Sequence, residues 1–268
     1  MNEKDFRFKK KFGQNFLKDK NIVKKIVSCA EIADNSLVIE VGPGSGAMTS
    51  ELALVSDKVL CYEIDTELKE QLNNNLSEFD NIDILFKDFL DSDINRDLAN
   101  YKYDNLYFIS NIPYYITTPI VMKLINSKLK FNKIVLMVQK EVGDRFSSLP
   151  GSKSYGSITV FLNYFYDIKR EFNVSRKLFV PEPNVDSVII SFSEKSNRLT
   201  LKDFNTFEKI VRDSFQFKRK TIKNNLKSYN LDVIYDVLNK YGYDLSARAE
   251  ELSYEIFVDI SNSLFEKK

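Results

Sequence analysis

Residues 36–46 read SLVIEVGPGSG, and the fold turns on them. The run SLVIEV (36–41) is apolar on both faces and rich in β-branched residues, which suits a strand buried on both sides of a sheet. GPGSG follows, and then a helical pattern over about 46–55. Strand, glycine turn and helix in that order open a βαβ unit that binds a ligand at the turn. Gly42 and Gly44 let the backbone pass close to that ligand, and the first turn of the helix offers unpaired N–H groups. Alone, the pattern is ambiguous, because Gly42-x-Gly44-x-x-Ala47 also fits a dinucleotide fingerprint.

The same alternation extends in both directions. Asp19 caps a helix over about 20–32, with Ile22, Val23, Ile26 and Val27 on one face. KVLCYEI (58–64), IDILF (82–86), DNLYFIS (104–110) and KIVLMVQ (133–139) read as further strands. Asp65 or Thr66 caps a helix ending near Ser77, and Thr118-Pro119 opens another that runs to about residue 127. Strands separated by helices of this length predict an α/β fold with a parallel, doubly wound sheet. Segments 158–174 and 185–193 read as strands, antiparallel and close to a sheet edge. Beyond Glu194 the pattern is purely helical, so the expected domains are 1–194 and an all-helical 195–268.

Composition narrows the chemistry. The 268 residues are 43% hydrophobic and 29% charged, ordinary for a globular chain, and no apolar run reaches the ~18 residues of a membrane span. MNEKDFRFKKKFGQNF lacks the apolar core of a secretory signal, so the chain is expected to be cytoplasmic. Cys29 and Cys61 lie in apolar surroundings without a C-x-x-C pair and read as core fillers. No metal site and no obligate dimer are expected. There is no histidine, which excludes His-based triads, HExxH zinc sites and any His general base. Charge is segregated. Residues 1–25 hold nine Lys/Arg against three acids and residues 195–230 ten against three, whereas residues 26–125 hold six against seventeen. Both basic segments interleave phenylalanines (Phe6, Phe8, Phe12 and Phe16; Phe204, Phe207, Phe215 and Phe217), a mixture suited to a nucleic-acid backbone.

Two carboxylates extend the ligand site. Glu63, 21 residues after Gly42 and at the end of the second strand, is placed to accept both hydroxyls of a ribose. Asp88, past the third strand, can accept a hydrogen bond from an adenine amine. Such a set serves NAD or S-adenosyl-L-methionine equally, and an NAD enzyme would need a proton-transfer residue that the missing histidine does not supply. SNIPYYITTP (110–119) tips the choice. An exocyclic adenine amine is a poor nucleophile, because its lone pair is delocalised into the ring. Two acceptors on its two N–H groups draw the nitrogen toward sp³ and direct the lone pair outward. The Asn111 side-chain oxygen and the Ile112 carbonyl can serve, Pro113 stiffens the turn, and Tyr114 offers a face on which an extruded base stacks.

Asn-Ile-Pro-Tyr with E-x-G-x-G-x-G resembles the S-adenosylmethionine-dependent amino-methyltransferases. KKFGQNFLKD (10–19), EVGPGSGAMT (40–49), SNIPYYITTPI (110–120), FVPEPNVDSVI (179–189), FQFKRKTIKNNL (215–226) and ARAEELSYEIF (247–257), in this order, resemble the KsgA/RsmA ribosomal RNA adenine dimethylases. The resemblance implies a Rossmann-like class I methyltransferase domain followed by a small helical rRNA-binding domain. It also implies dimethylation of two adjacent adenosines in a hairpin loop near the 3′ end of 16S rRNA, within a pre-30S particle. By similarity Asn15, Leu17, Gly42, Gly44, Glu63, Asp88 and Asn111 hold the cofactor. Phe179 forms a second aromatic wall opposite Tyr114, Tyr115 shapes the pocket, and Lys9, Lys10, Lys11, Lys218, Arg219, Lys220 and Lys223 meet RNA. Three other readings stay open at this point: an Erm-like methyltransferase of 23S rRNA, a 30S assembly factor whose methylation is secondary, and an NAD dehydrogenase.

Overall fold

Leu37, Val38 and Ile39 are fully buried, because the strand that carries them has a neighbour on each side and helices on its faces. The computed structural model describes residues 16–17 and 19–266. In chain order the first half comprises β1 (Phe16–Leu17), α1 (Lys20–Ser28), β2 (Ser36–Val41), α2 (Ala47–Ala53), β3 (Lys58–Tyr62), α3 (Lys69–Asn75), β4 (Ile82–Leu85), α4 (Ile94–Leu98), β5 (Asn105–Asn111) and α5 (Thr117–Asn126). There follow β6 (Lys133–Gln139), α6 (Lys140–Phe146), α7 (Ser157–Phe165), β7 (Tyr166–Val174), β8 (Phe179–Val180) and β9 (Ser187–Glu194). The chain ends with α8 (Phe204–Ser214), α9 (Ile222–Asn225), α10 (Leu231–Lys240) and α11 (Tyr254–Glu266). Among the described residues no helix is long and apolar enough to cross a membrane.

The main sheet has the order β4-β3-β2-β5-β6-β9-β7. The first five of these strands pair in parallel and β9 runs antiparallel to β6. From β2 the chain steps outward to β3 and β4, then returns to the other side of β2 as β5. The strand order therefore reverses between β2 and β5, where open sheets of this kind bind ligands beyond the carboxyl ends of their strands. Gly42 follows β2 and Asn111 ends β5, so the two motifs of the sequence flank that switch point.

The chain divides into two compact units. One gathers the chain up to Gly143 with Lys169–Glu194, and the other gathers Asp144–Ile168 with Lys195–Lys268. The sequence suggested a single cut at 194/195; the observed division also sends residues 144–168 to the helical unit. There SITVFLNYF (157–165) is a helix and not the strand its Val, Ile, Thr and aromatic content suggested. Gly156 precedes its first turn, the Thr159 hydroxyl donates to the Arg145 carbonyl at 2.8 Å, and Val160, Phe161 and Tyr164 join a core with Phe207, Ile210 and Phe257. Burial on nearly every face overrides β-propensity here. In the same unit the Ile222 N–H donates to the Ala247 carbonyl at 2.8 Å, which brings KTIKNNL and ARAEEL side by side.

Candidate active site

A pocket opens at the carboxyl edge of the sheet. Its lining includes Leu17, Gly42, Gly44, Glu63, Asp88 and the whole turn Asn111–Tyr114. Backbone hydrogen bonds fix where each loop leaves the sheet. The Gly42 N–H donates to the Tyr62 carbonyl at 2.8 Å and the Glu63 N–H to the Leu85 carbonyl at 3.0 Å. The Ser110 hydroxyl donates to the Val41 carbonyl at 2.6 Å and so ties β5 to β2 where their loops part. Gly42, Gly44 and Gly46 all hold positive φ, from 59° to 84°, a backbone that side chains seldom allow. A Cβ on Gly42 would meet nothing within 4 Å, so the backbone there borders open pocket.

Glu63 is almost wholly buried. One carboxylate oxygen accepts the Asp65 N–H at 2.8 Å and the other the Gly44 N–H at 3.3 Å. Burial raises its carboxyl above the ordinary carboxylate range, and these two N–H groups pull it partly back. The carboxylate retains acceptor capacity toward the pocket that it lines. Asp88 sits on a braced loop. Its carboxylate accepts the Leu90 N–H at 2.8 Å and its carbonyl accepts the Ser92 hydroxyl at 2.6 Å. From α5, the Lys123 ammonium donates to the carbonyls of Leu90 (2.8 Å) and Ser92 (2.5 Å). Phe89 anchors the loop from below, edge-on to Tyr62 with ring centroids 5.0 Å apart.

The turn after β5 is equally constrained. Pro113 precedes a 3₁₀ turn at Tyr114–Ile116, closed by the Ile116 N–H on the Pro113 carbonyl at 3.1 Å. Ile112 is buried, Tyr114 is half-buried, and Tyr115 is 63% exposed at the pocket rim. The Tyr114 hydroxyl lies 2.8 Å from Ser187 Oγ. Phe179 sits directly behind this group. It does not line the pocket but is buried in the core with Val23, Met137 and Ile189, on a strand that pairs with Leu17. Asn15 and Lys9–Lys11 lie outside the described residues. Sequence reading also passed over Ile64 and Phe89, which line the pocket; as the chain neighbours of Glu63 and Asp88 at strand ends, they carried a positional signal. Lys123 acts over a long sequence distance and carried none; Ser187 lies within FVPEPNVDSVI, but nothing in that stretch pointed to Tyr114.

Beneath the glycine turn lies Glu40, fully buried, which accepts the Thr49 hydroxyl at 2.7 Å and the Cys61 thiol at 3.7 Å. Burial pushes its carboxyl up to about 7 from 4.5, against the pull of those two donors. The folded state therefore holds this proton more tightly than the unfolded chain. The resulting stabilisation is complete below about pH 4.5 and is lost as pH rises through 7. From pH 5 to 8 this group should lower the unfolding free energy by roughly 3 kcal/mol. Urea denaturation across that range should show a flatter profile for Glu40→Gln than for the native chain; equal slopes would remove Glu40 as the cause.

A mixed seven-stranded sheet, a glycine turn, an acidic residue at the next strand end and an Asn-Ile-Pro-Tyr turn across the switch point together define a class I methyltransferase. The ribosomal RNA adenine dimethylase family model matches residues 5–266. The chain is 42% identical, over 97% of its length and 92% of the relative's, to ribosomal RNA small subunit methyltransferase A of Streptococcus pneumoniae. It is 39% identical to the protein of that name from Macrococcus caseolyticus, over 97% and 90%. Among solved structures it is similar to a dimethyladenosine transferase of Plasmodium falciparum (TM-score 0.79, 27% identity, 94% and 98% covered) and to the 23S rRNA methyltransferase ErmE (0.72, 26%, 93% and 99%). The chain belongs to the ribosomal RNA adenine dimethylase family, on its KsgA/RsmA branch.

Proposed function

We propose that the chain dimethylates the exocyclic amines of two adjacent adenosines in a hairpin loop near the 3′ end of 16S rRNA, acting in the cytoplasm as a monomer on pre-30S particles. The observation that carries this is the meeting, in one pocket, of Gly42, Gly44, Glu63 and Asp88 with the turn Asn111–Tyr114. The residues fit S-adenosyl-L-methionine: a glycine turn open to the pocket, a buried carboxylate for ribose hydroxyls and Asp88 for adenine, with Leu17 alongside. Asn15 joins this set by resemblance. When bound, the cofactor supplies an electrophilic methyl group on a sulfonium.

The chain's own part is to prepare the amine. Asn111 Oδ1 and the Ile112 carbonyl accept its two N–H groups and draw the nitrogen toward a pyramidal shape, and Tyr114 stacks the base. The alkylated nitrogen is acidic enough to lose its proton to water, so no histidine is required. Phe179, buried behind the pocket-lining residues Leu17, Val23 and Met137, is assigned the second wall by resemblance. The helical region supplies RNA contacts through Lys218, Arg219, Lys220 and Lys223, all exposed.

The 42% identity to relatives named for the small subunit, against 26% to ErmE, favours 16S over 23S rRNA. Primer extension across both rRNAs in a strain lacking the gene tests this: a modification block lost near the 3′ end of 16S supports the reading, and a block lost in 23S overturns it. Four phosphate contacts predict that log affinity for the particle falls against log salt with a slope of roughly −3. A flat response in a filter-binding titration would remove these cations from the interface.

A further inference from the structure

We propose that Ser187 is a positioning residue for methyl transfer, whose hydroxyl holds the Tyr114 ring at the angle in which the target base stacks; this rests on Tyr114 being the stacking face. Tyr114 opens a turn. Its carbonyl accepts the Thr117 hydroxyl at 3.2 Å, and the tip of its ring meets Ser187 Oγ at 2.8 Å, so the residue is gripped at both ends.

The grip at the ring tip is the firmer one. Ser187 is fully buried at the start of β9, in register with Gln139 on β6. The residue before it is pinned from two sides. The Lys140 N–H donates to the Asp186 carbonyl at 3.0 Å, and Asp186 Oδ1 accepts the Arg176 N–H at 3.0 Å. Arg176 also pairs through Nε with Glu182 at 3.1 Å and donates to the Asn184 carbonyl at 3.1 Å, which folds the 176–186 connector onto itself. A ring on a short turn is thus referenced to the sheet through one hydroxyl pair. Rings oriented before a base arrives need no ordering on binding, so productive stacking is more frequent.

This assigns the Tyr114 hydroxyl a role that stacking alone does not require, and it ties two signatures of the sequence, SNIPYYITTPI and FVPEPNVDSVI, to one function. The test is a double-mutant cycle in which methyl incorporation is measured on mixed 30S and 50S subunits from a strain lacking the gene. Ser187→Ala and Tyr114→Phe should each lower kcat/KM for RNA about five-fold, the worth of one hydrogen bond, with cofactor affinity unchanged. The double variant should fall no further. Losses that multiply to roughly 25-fold, or no loss in either single variant, overturn the proposal. Should Ser187→Ala fail to fold by thermal melting, Tyr114→Phe decides alone: a five-fold loss upholds the role and native activity ends it. Label in the large subunit would refute the 16S reading while the cycle still judges Ser187, and label in neither would remove both.

Discussion

Asn111→Ala should lower kcat for methyl transfer by about 10²–10³-fold, the usual cost of deleting one preorganised group that acts mainly in the transition state. The reasoning starts from position. Asn111 is the last residue of β5, paired in register with Met137 on β6, and Ser110 before it is tied to β2. Its backbone cannot drift, so truncation removes the acceptor without relocating the turn. Ground-state binding should change far less, because the proposed phosphate contacts of the helical region lie outside this turn and would be kept. Single-turnover assays at saturating cofactor separate the two effects. Asn111→Asp keeps an oxygen acceptor and should retain more activity than Asn111→Ala; equal loss in both would argue against the acceptor role.

Glu63→Ala should weaken S-adenosyl-L-methionine binding by at least about 100-fold, since hydrogen bonds to a charged group contribute roughly 1.5–3 kcal/mol each and Glu63 is proposed to serve two ribose hydroxyls. Equilibrium dialysis measures this directly, with NAD as the control ligand. A pH signature accompanies it. Burial raises the Glu63 carboxyl, and only the ionised form accepts from both hydroxyls. Cofactor affinity should therefore decline on acidification sooner than an exposed carboxylate would allow, and Glu63→Gln should abolish that dependence. The same variant separates catalysis from assembly. A Glu63→Ala strain that matures its 30S subunits normally would favour the assembly-factor reading, whereas the defect of a full deletion would tie maturation to methylation.

The pocket was legible because its residues sit where topology sends them. Gly42, Glu63, Asp88 and Asn111 each stand at or just past the end of a parallel strand, and apolar runs such as SLVIEV mark those strands without ambiguity. SITVFLNYF was not legible, because burial all round erases the helical period and leaves β-branched residues to mislead. The partners of Lys123 and Ser187 were not legible for another reason. Each bonds residues 31–73 positions away, a relation fixed by sheet order and not by any local pattern. Phe179 shows the reverse limit. Its signature was plain, yet pairing beside Leu17 and clustering with Met137 and Ile189 bury it behind the pocket lining, a placement no local pattern gave.

The most direct measurement is mass-spectrometric mapping of methyl groups on under-methylated 30S subunits incubated with S-adenosyl-L-methionine and either the native chain or Asn111→Ala. Two neighbouring N⁶,N⁶-dimethyladenosines near the 3′ end of 16S rRNA with the native chain, and almost none with the variant, are the expected result. Methyl groups at another base or on other RNA, or equal transfer by Asn111→Ala, would contradict a reaction centred on the turn after β5.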